Sequence, residues 1–123
     1  MSIRAFTDDA AGLLAGIKKL IDQNHITTWR YDNDGDFTHT ASSGQWNGKA
    51  WLRPQVKSDM LRFVILNTEG IPLTREIFAI FHGRFIEMLM AHMSNKFTRA
   101  SASPNPAPGD EPALATSAPP VRR

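Results

Sequence analysis

Between Arg30 and Arg62 the chain interleaves cations with rings: Arg30, Tyr31, Trp46, Lys49, Trp51, Arg53, Lys57 and Arg62. Guanidinium and ammonium groups neutralise phosphates, and flat rings let bases stack. Residues of these types at short intervals could therefore hold a single strand of nucleic acid. The contact residues on this reading are Arg30, Lys49, Trp51, Arg53, Lys57 and Arg62. The aromatic-and-glycine strand signature of an RNA-recognition sheet is absent. Rings on a small sheet also serve as its core. The reading therefore requires these groups to converge on one solvent face.

Other residue types suggest other chemistry. Asp32, Asp34 and Asp36 have the alternation of a calcium loop. Such a loop wants its glycine after the third acid and a glutamate six residues later. Here Gly35 follows the second acid and Ala41 stands in the glutamate's place, so a solvated hairpin turn is expected and no metal. Gly44-Gln45-Trp46-Asn47-Gly48-Lys49 has one residue too few between its glycines for a phosphate loop, and Ala50 follows the lysine. Among His25, His39, His82 and His92 no pair stands at the helical zinc spacing. No spacing selects a nucleophile, base and orienting acid. An enzyme would require a cleft with His39 or His82 beside a carboxylate.

These residues must be positioned by elements whose patterns are legible. Thr7 with Asp8 and Asp9 reads as a helix start, and Leu13, Leu14, Ile17, Leu20 and Ile21 recur at helical spacing to about Gln23. Period-two alternation follows over Thr27 to Tyr31 and Phe37 to Ala41, joined by a turn at Asp34-Gly35. A short third strand is expected from Lys49 to Arg53, stopped by Pro54. Met60 to Asn67 is the most apolar strand and is expected to be central. Thr74 caps a helix expected to reach Phe97, apolar on nearly every side except a stripe of Glu76, Gly83, Glu87 and Ser94.

A helix that apolar must be covered on more than one side. Its Met-rich end suits an adaptable contact. The expected protein-interaction residues are Phe78, Phe85, Met90, Met93 and Phe97. Gly12 and Gly16 on the first helix invite close approach of another backbone, within the chain or from a second copy.

Composition bounds the rest. The 123 residues contain no cysteine, which excludes disulfides, thiolate metal sites and a cysteine nucleophile. No apolar run approaches membrane-spanning length, and no signal pattern opens the chain, so a cytoplasmic location is expected. Net charge is only +2, but it is unevenly spread. Six acids oppose three bases from Asp8 to Asp36, and four bases oppose one acid from Lys49 to Arg62.

The expected fold is α+β in two layers, with both helices on one face: an N-terminal helix, a three- to four-stranded antiparallel sheet and a long C-terminal helix. Residues 1–99 form this domain, and the Pro/Ala-rich segment 100–123 is expected to be a disordered tail. The leading functional expectation is a small non-catalytic accessory or regulatory protein without cofactor. It would dimerise or dock a protein partner through the long helix. The alternative is nucleic-acid binding through the basic, aromatic sheet residues.

Overall fold

The computed structural model describes residues 3–42 and 44–104. Strands β1 (Ile3–Phe6), β2 (Trp29–Tyr31), β3 (Phe37–His39), β4 (Ala50–Val56), β5 (Met60–Asn67) and β6 (Arg99–Ala102) form one antiparallel sheet in the order β2-β3-β4-β5-β1-β6. Helices α1 (Ala10–Asp22) and α2 (Arg75–His92) accompany it. No helix among the described residues is long and apolar enough to cross a membrane.

The α+β class and the antiparallel sheet are as expected, and β5 lies inside the sheet. The strand count is not. Two strands were missed: β1 opens the described chain, and β6 follows α2 and pairs with β1 through Ile3↔Ala102 to Phe6↔Arg99. The second helix is therefore not C-terminal. The third strand also runs past Pro54, which stands opposite Phe63. Neighbouring β3 pairs with β4 only at Phe37↔Leu52. Beyond that point β4 is open on one side, where a residue without an N–H is tolerated. Ala100 to Ala102, expected in the tail, belong to β6, and residues 105–123 lie outside the described residues.

The helix boundaries show local chemistry at work. The α1 cap is Asp9, whose carboxylate accepts from the Gly12 N–H at 3.0 Å, while Thr7 Oγ1 accepts from the Asp9 N–H. At α2, Thr74 caps as expected and accepts from the Ile77 N–H. This helix ends at His92 because Met93 turns inward to bury its side chain. The methyl of Met93 lies 2.8 Å from where a Cβ on Gly16 would stand, so a side chain of the same chain, and not the expected backbone, closely approaches that glycine. Nothing crowds Gly12 except its own cap, and nothing in the structure explains Gly83.

Both helices pack on one face of the sheet. Ile3, Ala5, Trp29, Phe37, Leu52, Leu61, Phe63 and Ile65 point into a core that Leu13, Ile17, Ile77, Phe81, Phe85 and Leu89 complete. Phe85 is its hub, with ring centroids 4.9 Å from Trp29, 5.9 Å from Phe37 and 4.6 Å from Phe63. Edge-to-face contacts of this kind add about 0.5–1.5 kcal/mol each beyond area burial.

The β6 pairing makes a direct expectation. A chain ending at residue 98 exposes the β1 edge. It should unfold at lower urea than one ending at residue 104, by on the order of 2 kcal/mol from lost ladder bonds, and should aggregate more readily.

Candidate functional site

Among the described residues, no helix lies on the sheet's second face. Alternation and register assign its residues: Arg4 and Phe6 on β1, Arg30 on β2, Thr38 on β3, Trp51, Arg53 and Gln55 on β4, Met60, Arg62, Val64 and Leu66 on β5, Arg99 and Ser101 on β6. Trp51, Val64 and Leu66 form a buried apolar floor on this face. Arginine side chains lie against two of the face's rings. The Arg30 guanidinium carbon sits 5.2 Å from the Trp51 ring centroid, and that of Arg99 sits 4.4 Å from the Phe6 ring. Such contacts combine apolar coverage with cation–π attraction.

Four of the six residues expected at a nucleic-acid contact, Arg30, Trp51, Arg53 and Arg62, share this face. Lys57 follows β4 in the same alternation and lines a depression with Arg4 and Arg62. Lys49 is half-buried just before β4, one alternation step beyond Trp51. Trp51 is only 5% exposed beneath Arg30, so it is floor and not the stacking platform expected of it. Arg4 and Arg99 were missed, because β1 and β6 are four residues each and carry no pattern of their own.

Arg53 has a structural duty. Its Nε and Nη2 donate to the two Asp36 oxygens at 3.0 and 2.9 Å, and Asp36 is fully buried while the Arg53 side chain is half exposed. The Asp36 bond is the main cause holding the Arg53 guanidinium above its ordinary range. Asp32, Asp34 and Asp36 cluster with ligand atoms within 4.8 Å of one another. Asp32 accepts from the N–H groups of Asp34 and Asp36, and Gly35 takes φ +82°, so the segment closes as a hairpin turn on its own carboxylates. The acidic turn lies beside Arg53. Among the described residues, positive charge therefore gathers toward β5, β1 and β6, where Arg4, Lys57, Arg62 and Arg99 stand and Asp59 is the carboxylate lining the depression. Arg4 and Arg62 are direct cross-strand partners. Burial first, and the Arg4 charge second, hold the Arg62 guanidinium below its ordinary range.

The helix residues expected at a protein interface divide. Phe78, Phe85 and Met93 are core, at 2%, 0% and 4% exposure, and offer nothing to a partner. The physical reason is the width of the sheet, which lets α2 bury a broad arc rather than one stripe. Met90 remains 62% exposed and, with Ile86, Ser94 and half-buried Phe97, lines a groove of about 390 Å³.

His39 and His92 line one hollow, and His82 lies outside that lining. His82 is buried and stacked on Phe78, and its Nδ1–H donates to the Phe78 carbonyl at 2.6 Å. Burial lowers its pKa to about 4 against that bond's opposing effect. His39 packs edge-on to Trp29 and lines a hollow of about 180 Å³ with Arg84, Glu87 and His92. Its pKa is lowered, mainly by burial. That volume is below the usual range for small-molecule sites, about 300–1,000 Å³.

Two outcomes follow. Arg53→Ala leaves the buried Asp36 carboxylate without its guanidinium and should cost about 2–3 kcal/mol in urea unfolding. His82 is neutral in the fold down to about pH 4 but titrates near 6.5 when unfolded. Its contribution to stability is thus full above about pH 6.5 and is lost as pH falls toward 4, by on the order of 3 kcal/mol. The fall in urea midpoint over that window, with an NMR titration of the His82 ring ending near pH 4, checks it. No family model, curated protein or solved structure matches this chain.

Proposed function

We propose that this is a non-catalytic binding protein whose working surface is the open sheet face and whose ligand is nucleic acid. The observation that carries the reading is the gathering of Arg4, Arg30, Arg53, Lys57, Arg62 and Arg99 on the face that no helix among the described residues covers. Five of the six are arginines, whose flat donor forks match phosphate oxygens and lie well against bases. The buried Trp51 changes the expected mode of contact. Guanidinium planes, with half-buried Phe6 beneath Arg99, take the place of an exposed tryptophan platform. Backbone neutralisation of this kind gives affinity with little sequence preference.

A second reading keeps protein docking. The groove lined by Met90, Phe97 and Ile86 favours it, reduced from five expected contact residues to the two that reach the surface. It is an apolar surface of the kind partners cover.

Fluorescence anisotropy of a labelled single-stranded oligonucleotide with the full chain separates the two. Saturable binding is expected, with a log–log salt slope of about −3 if four or five cations meet phosphates. Arg30→Ala should weaken it at a smaller cost in stability than Arg53→Ala. Absence of binding at low salt overturns the nucleic-acid reading and leaves the Met90 groove as the surface to pursue.

A further inference from the structure

The sheet ends at β6, and among the described residues no strand pairs with its outer side. Edge strands are usually blunted by proline, by charge or by a covering element. Arg99–Ala102 holds no proline and one charge, and that charge lies over Phe6 on the open face. The helix-bearing side of the same edge is apolar. Ala100 and Phe97 line the groove of about 390 Å³ with Ile86 and with Met90, which is 62% exposed. Helix α2 runs antiparallel to β6 along this edge. Arg75 at its start donates to the Pro104 carbonyl, and Ile86 and Met90 in its second half line the groove with Ala100. Gly83 lies seven residues before Met90, on the same face of the helix. It is exposed, and no atom lies within 4 Å of where its Cβ would stand. Glycine weakens an exposed helix interior, and nothing among the described residues uses the space.

We propose that this edge is a homodimer seam, in which β6 of a second copy pairs antiparallel with β6 and the two α2 helices meet over it. The edge is complementary to itself. A two-fold axis normal to the sheet keeps all helices on one side only if odd residues pair with odd and even with even. Centred on Ala100, that pairing sets Thr98 against Ala102, Arg99 against Ser101 and Ala100 against itself. No two like charges stand directly opposite, the seam is lined by small side chains, and Pro104 stays outside it. The same axis turns α2 antiparallel to its copy, so that Met90 of each copy faces the space beside Gly83 of the other. A knob and a hole on one surface are what an isologous contact requires. The two open faces then join into one, with both Arg99 residues at the seam. The inference rests on the docking reading of the Met90 groove, whose occupant it names. It does not depend on what the open face binds.

Sedimentation equilibrium of the full chain tests it and should give twice the 13.7 kDa monomer mass, dissociating on dilution. Met90→Glu should raise the dissociation constant by about thirtyfold or more. Met90→Leu should keep the dimer. Val56→Glu, at the other exposed large apolar residue and three strands away, should leave it unchanged. The chain has no cysteine, so an introduced one reports the register. Ala100→Cys should form an interchain disulfide, because directly opposite Cβ atoms stand about 4.5–5.5 Å apart. Ala102→Cys, displaced along the strand from its own copy, should not. Circular dichroism establishes that the variants fold. A monomer at every concentration overturns the seam. So does a dimer indifferent to Met90→Glu, or one that crosslinks through Ala102→Cys and not through Ala100→Cys. If the chain is a monomer, the Met90 methyl resonance names the other occupant. Its movement on Leu114→Asp assigns the groove to segment 105–123 of this chain and overturns the docking reading as well. An unmoved resonance overturns the second copy and leaves docking of an unlike protein standing. A dimer that binds no oligonucleotide supports the seam and overturns the nucleic-acid reading alone.

Discussion

A sheet has two faces, and here two helices cover one of them. Everything distinctive about the molecule follows from how the other face is kept in water. Trp51, Val64 and Leu66 would form an exposed apolar patch on β4 and β5 if nothing lay over them. Among the described residues, arginines lie over this face, with Arg30 across Trp51 and Arg99 across Phe6. Covering apolar surface with arginine has an unavoidable electrostatic consequence. Each stem brings a guanidinium that stays charged, so protection of the floor and accumulation of positive charge are the same event. The Asp36 carboxylate neutralises Arg53 at one end. Toward β1, Asp59 lines a depression with Arg4, Lys57 and Arg62.

The covered face explains why α2 looks unlike an ordinary surface helix. Phe81 and Phe85 reach Trp29 from the helix side, while Phe63 and Phe37 meet Phe85 from the sheet. Met93 leaves the helix end to fill the space that Gly16 opens on α1. An apolar circumference is thus consumed mostly inside the monomer, and only Met90 and its neighbours remain outside.

How much of this could be read from the chain depends on the distance over which each feature is encoded. The alternation of β5, the Asp34-Gly35 turn and the Thr74 cap are local, and each emerged where the pattern put it, whereas β4 ran past the Pro54 expected to stop it. Alternation puts Trp51 and Arg53 on one face of β4, but only the register between strands shows that Arg30 and Arg62 share it. Arg4 and Arg99 were not legible there, since Ile3–Phe6 and Arg99–Ala102 become strands by pairing with each other and with β5 across the length of the domain. Helical spacing likewise shows that Phe78 and Phe85 are apolar. It cannot show how wide a surface they meet, so they read as contact residues when they are core. Trp51 illustrates the same limit: its place on the face was legible, but its cover by a residue twenty-one positions earlier was not.

The claim that the open face does the work is tested most directly by watching the arginines themselves. NMR of the side-chain Nε–Hε groups in a 15N-labelled chain, titrated with a single-stranded oligonucleotide, resolves each guanidinium. Shifts at Arg4, Arg30, Arg62 and Arg99 with little change at Arg75 and Arg84 of α2 would establish the sheet face as the contact surface. Shifts confined to Arg84 and the Met90 groove, or no shift at all at low salt, would contradict it.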